Sequence, residues 1–110
     1  MGNLKNIPID AGIELAQLVN GKENQVISKA LSNSECVQIT VLAFSNGETI
    51  SMESYFGDTC YYVIQNKMKI LYEKSEILLC EGEVLMVPAG ALHGIYAEGD
   101  LKILQITIQQ

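Results

Sequence analysis

From Cys36 onward the chain carries a turn signal about every eight to twelve residues, and this rhythm constrains the fold more than any other feature. CVQITVLAFS, TISMESYF, CYYVIQ, KMKILY, EILLC, VLMVP, HGIYA and LKILQITIQ are short segments rich in β-branched and apolar residues. They are parted by SNGE, Gly57-Asp58, Asn66, EKSE, EGE, AG and AEGD. Those residues accept tight turns and positive φ. About eight to ten short strands so spaced predict an all-β chain, folded as an antiparallel sandwich or barrel.

The N-terminal third reads differently. AGIELAQLVN places Ile13, Leu15, Leu18 and Val19 for one or two helical turns, with Gly21 as the stop. QVISKALSNSE reads as a short strand and a turn. The expected organisation is a single domain. Residues 1–35 form an N-terminal arm and first strands, and residues 36–110 form the barrel core. A chain of 110 residues has room for one core.

Two strands are apolar on both faces. Val37, Ile39, Val41 and Ala43 share one face, and Leu42 and Phe44 lie on the other. Leu101 and Ile103 likewise oppose Leu104, Ile106 and Ile108. A sheet with one face in water does not need this pattern. The second face is expected to be covered by a second copy of the chain, making a homodimer, or by the N-terminal segment.

Charge narrows the partners. The net charge is −6, and the seven basic residues form no patch. Such a field repels phosphate backbones, so no nucleic-acid partner is expected. No apolar run approaches the roughly 20 residues of a membrane helix, so no membrane partner is expected either. MGNLKNIPID lacks the hydrophobic stretch of a signal peptide, which points to the cytoplasm. Cys36, Cys60 and Cys80 stand apart with no C-x-x-C, and read as free thiols.

The stretch GEVLMVPAGALHGI contains the one histidine, His93. Gly82 permits the turn into a strand over Val84 to Val87. Pro88 removes a donor and ends the pairing. Gly90 reverses the chain, and His93 opens the next strand, with positions 93, 95 and 97 on one face.

Gly82, Pro88, Gly90 and His93 match, in register, the second motif of the cupins, G-x5-P-x-G-x2-H-x3-N, with Ala97 in place of the final Asn. The chain resembles small single-domain bacterial cupins of the cupin 2 conserved-barrel type over about residues 36 to 108. The resemblance implies a double-stranded β-helix, or jelly-roll, barrel with a short N-terminal arm or helical turn. The first cupin motif, G-x5-H-x-H-x3,4-E-x6-G, aligns from Gly47. Its two His positions fall at Glu53 and Tyr55, its Glu at Thr59 or Cys60, and its closing Gly at Asn66. In metal-binding cupins those ligands join the second-motif His around a divalent ion. Here the metal motif is degenerate, and only His93 matches in type as well as place.

These positions give the candidate site. Glu53 and Tyr55 share a strand face and can enter one pocket with His93. Glu53 and His93 are the candidate metal ligands, for a weakly held Zn, Mn, Fe or Ni. They are also the candidate catalytic pair, the carboxylate as general base and the histidine as acid. Glu53, Tyr55, Tyr61 and His93 are the candidate ligand contacts. Tyr61, Tyr62 and Tyr96 read first as packing residues, and His93 can equally be satisfied by a bond to Tyr55 or Glu53. The expected function is binding of a small polar organic molecule, a sugar or organic acid, at the barrel mouth. The alternatives are a small metal-dependent or acid–base enzyme, of isomerase, lyase or dioxygenase type, and a structural dimer with a vestigial pocket.

Overall fold

The computed structural model describes residues 4–109, so the first three residues of MGNLKNIPID and Gln110 lie outside it. A single 3₁₀ turn, Leu15–Leu18, precedes seven strands: β1 (Val26–Asn33), β2 (Val37–Phe44), β3 (Thr49–Glu53), β4 (Asp58–Leu71), β5 (Glu76–Leu79), β6 (Val84–Val87) and β7 (His93–Ile108). All pairings are antiparallel, in the order β1-β2-β7-β4-β5, with β3 added to β7 and β6 to β4.

β4 and β7 are long, and each belongs to two layers. Residues 58–63 of β4 and 101–108 of β7 pair with β6 and β2, in one layer with β1. Residues 67–71 of β4 and 93–98 of β7 pair with β5 and β3 in the other. The sequence predicts turns at Asn66 and at AEGD; instead both strands run through, and the register shifts between Val63 and Lys67. Asn66 (φ 63°) and Gly99 (φ 91°) face each other at this bend. A Cβ on Gly99 would meet Asn66 Cγ at 3.0 Å, so glycine is required for both the φ and the approach. The Asn66 and Gln65 side-chain amides donate to the carbonyl of Asp100 at 2.7 and 3.0 Å, satisfying a group that the bulge leaves unpaired.

Between the layers lies the main core: Leu42, Phe44, Tyr61, Val63, Met68, Ile70, Leu79, Val87, Ile95, Ala97, Leu101 and Ile103. The rows opposite these point outward. Val41, Ala43 and Leu31 form a second cluster with Leu18 and Val19. The N-terminal segment therefore covers this part of the outer wall. Lys102 Nζ donates to Ala16 O at 2.7 Å and ties the segment down. Lys5 N donates to Leu31 O and Asn6 Nδ2 to Ala30 O, both at 2.8 Å, capping the open edge of β1.

Candidate functional site

Strand alternation sorts the interior into two halves. Leu42 and Phe44 face inward from β2, and so, two and four residues earlier, do Thr40 and Gln38. Leu101 and Ile103 face inward from β7, and Gln105 and Thr107 continue that row. Val63 and Tyr61 face inward from β4, followed toward the strand start by Thr59. One half of the barrel is therefore apolar. The other is lined by Gln38, Thr40, Thr59, Tyr61, Gln105 and Thr107, with Tyr55 and His93 beside them. Thr59 and Thr107 hydroxyls bond each other at 3.0 Å. Gln38 and Glu53 are exposed, and Thr40, Tyr55 and Gln105 are half-buried, so this polar half is the mouth.

His93 is 2% exposed. Its Nδ1 lies 2.9 Å from Ala91 O, which can only accept, so Nδ1 donates. In the neutral ring Nε2 must then accept, and it takes the Tyr61 O–H at 2.7 Å. Tyr61 is fully buried. Tyr55 sits between these groups and the solvent, in the turn between β3 and β4, its ring edge-on to His93 with centroids 5.8 Å apart. Its hydroxyl donates to Glu53 Oε1. Burial, with the bond to and charge of Glu53, pushes the Tyr55 phenol up to about 12; the nearby Gln105 and Tyr61 side chains oppose the shift. Burial pushes the Tyr61 phenol up as well, and the charges of Tyr55 and Glu53 add to it.

The two loops that carry the site are latched together. Gly90 N donates to Tyr55 O at 2.9 Å, and Ala89 N to Asp58 Oδ1 at 2.9 Å. Gly57 lies so close to Ile108 that a Cβ would stand 2.4 Å from its carbonyl oxygen. Gly94, next to His93, gives the same closeness to β3: a Cβ there would be 2.9 Å from Ile50 O.

Of the sequence-predicted residues, Glu53, Tyr55, Tyr61 and His93 all reach this corner, but in a different pairing from the expected one. Glu53 meets Tyr55 rather than His93, and His93 meets Tyr61. Cys60 faces the outer wall opposite Met86 and Ile106. Thr59 faces inward but is bonded to Thr107. Gln38, Thr40, Gln105 and Thr107 escaped the sequence reading. Their signal is the alternation in CVQITVLAF and LQITI, which places them on the inward row.

The donor set does not fit a divalent cation. Both ring nitrogens of His93 are bonded, and Glu53 is the one carboxylate at the mouth on its strand. Among the described residues no three His, Cys, Asp or Glu side chains gather into a metal-holding group. Two surface clefts lie away from this corner. One of about 550 Å³ runs beside Gly21 to Asn24 and Asp100 to Lys102. Another, of about 590 Å³, lies on the outer wall around Phe56, Cys60, Met86 and Ile108. No helix among the described residues is long and apolar enough to cross a membrane.

No family model matches the sequence, and no match was found among curated proteins. Solved structures do match. A cupin superfamily protein from Desulfitobacterium hafniense is 43% identical, covering 99% of this chain and 100% of its own, with a TM-score of 0.95. A conserved protein from Streptococcus pyogenes superposes with a TM-score of 0.94 at 24% identity, over 100% of this chain and 96% of its own. A cupin 2 conserved-barrel domain protein from Leptotrichia buccalis is 26% identical over 88% of this chain and 47% of its own, with a TM-score of 0.84. The two-layer barrel, the motif glycines and proline leading to His93, and full-length identity at this level agree: the chain belongs to the cupin superfamily.

Proposed function

We propose that this cupin binds a small, uncharged polar organic molecule in the mouth of its barrel, without turning it over. The division of the interior carries the reading. The fully apolar half supplies stability, whereas the mouth is lined with amides, hydroxyls and one carboxylate. Thr59, Thr107, Tyr61 and His93 are buried and bond one another in pairs, whereas Gln38, Thr40, Gln105 and Glu53 reach solvent and carry hydrogen-bonding capacity for a guest. No lysine or arginine stands among the inward residues named, so the mouth offers no partner for an organic acid or phosphate. That favours a neutral, sugar-like molecule over the organic acids also expected from the sequence. Glu53 accepts a hydroxyl from the guest, and Tyr55 and Gln105 orient it.

Calorimetric titration of a panel of neutral sugars, polyols and small carboxylic acids tests this. At least one neutral compound should bind saturably to the native protein, and Glu53→Gln should weaken it by about tenfold, the loss of one charge-assisted bond. Binding confined to the acids, or binding unaffected by Glu53→Gln, would contradict the assignment.

Self-association is a second element of the reading. Val84, Met86, Phe56 and Ile108 are exposed on the outer wall, beyond the part covered by the N-terminal segment. Half-buried Cys60, Tyr62 and Ile106 continue the patch. A second copy of the chain placed here would cover it, giving a homodimer.

A further inference from the structure

We propose that the Tyr61 phenol takes the place on Nε2 of His93 that a metal ion would need, so that the barrel works without a metal and its imidazole is held in one tautomer. The proposal does not depend on which guest the mouth binds. Each imidazole nitrogen has a single bonding position in the ring plane. Ala91 O fills one at 2.9 Å and the Tyr61 hydroxyl the other at 2.7 Å. Tyr61 cannot swing aside cheaply. Its ring is fully buried in the main core and stands edge-on to the imidazole at 5.7 Å. A cation arriving at Nε2 would have to displace it and leave a buried O–H without an acceptor.

Nor can the phenol itself join a coordination sphere easily. Its hydroxyl is sealed inside the barrel and already spent on His93, so it offers no open position to an ion. The remaining groups do not complete a set around the imidazole. Glu53 is turned to Tyr55 at the exposed rim, Thr59 bonds Thr107, and Cys60 faces the outer wall. The hydrogen bonds also share one direction: Tyr61 donates to His93, and His93 donates to Ala91. The ring is thus fixed as the Nδ1–H form by partners at both ends.

His93 is the single histidine of the chain, so its ring nitrogens can be observed without assignment. In the native protein, two-bond proton–nitrogen correlation at neutral pH should show a protonated Nδ1 and an accepting Nε2. Addition of zinc to several equivalents should leave both unmoved. An Nε2–H tautomer, or a zinc-dependent shift of Nε2 that saturates at one equivalent, would overturn the proposal. A second arm removes the phenol. Tyr61→Phe should keep Nδ1 protonated against Ala91 O and leave Nε2 open, so that zinc now shifts the Nε2 resonance. Tyr61→His supplies a second imidazole and should bind cobalt(II) at least about tenfold more tightly than the native chain, with visible absorption. A folded Tyr61→His protein that binds cobalt(II) no better than the native one would show that the phenol is not what excludes the ion. If that variant does not fold, the native-protein measurement decides alone.

Discussion

Glu53 and His93 stand opposite one another across β3 and β7, yet each is bonded to a different tyrosine. The register shift between Ile50 and Glu53 lies next to this pair, and the chain then turns through Tyr55. The carboxylate stays in solvent while the imidazole is sealed beneath Tyr55. A direct acid–base pair, as the motif spacing suggests, is thereby replaced by two parallel hydrogen-bonded units, one at the rim and one at the floor.

The two halves of the interior should respond differently to truncation. Ile103→Ala removes a fully buried side chain from the apolar half and should cost about 3 kcal/mol. Gln105→Ala, one inward position further along β7, should cost under about 1 kcal/mol because its side chain is half in water. Urea unfolding of both variants checks this; equal losses would mean that the polar row is structural.

Gly57→Ala should destabilise the fold by about 2 kcal/mol or more, since its Cβ would strike the backbone of Ile108 rather than a movable side chain. Gly12→Ala meets nothing within 4 Å, and should be neutral or slightly stabilising through the unfolded chain. Thermal melts of the pair provide the comparison. Tyr55 lies two residues from Gly57, so the first variant should also disturb its alkaline titration.

Stability should fall at alkaline pH through the phenols. Tyr55 loses its proton at about 12 in the folded chain and at about 10 when unfolded. A raised folded value means that folding favours the protonated form. The contribution is complete below pH about 10 and is lost as pH rises through about 12. Tyr61 acts in the same direction. Denaturation curves across this window, with phenolate absorbance, should show the decline. Tyr55→Phe should flatten it, and an unchanged slope in that variant would assign the effect elsewhere.

Met86→Lys or Ile108→Lys should weaken self-association at least about tenfold while leaving the melting temperature of the isolated chain nearly unchanged, because both side chains are more than half exposed. Sedimentation equilibrium reads this directly. A native chain that remains monomeric at high concentration would remove the second copy from the outer wall.

Much of this architecture was legible in the sequence. Gly82, Pro88, Gly90 and His93 mark a hairpin that ends on an inward-facing residue, and the structure builds it that way. Asn66 and Gly99 misled, because the residue types that reverse a chain also permit a bulge, and only the strand partner distinguishes them. The outer and inner walls were also ambiguous. β2 carries Val37, Ile39, Val41 and Ala43 on one row and Gln38, Thr40, Leu42 and Phe44 on the other. The uniformly apolar row lies outside, partly under the N-terminal segment. The inward row changes character midway, and alternation alone cannot say which row faces in. The strand pattern makes Tyr61 a candidate contact, but its bond to His93 depends on the closure of the barrel.

The bend at Asn66 and Gly99 makes β4 and β7 common property of both layers, so the greasy end and the wet end of the barrel are built from the same two ribbons. Substitutions at the wet end leave the hinge and the greasy packing alone. Such a barrel can have the lining of its mouth altered, one exposed inward residue at a time, without renegotiating how it folds.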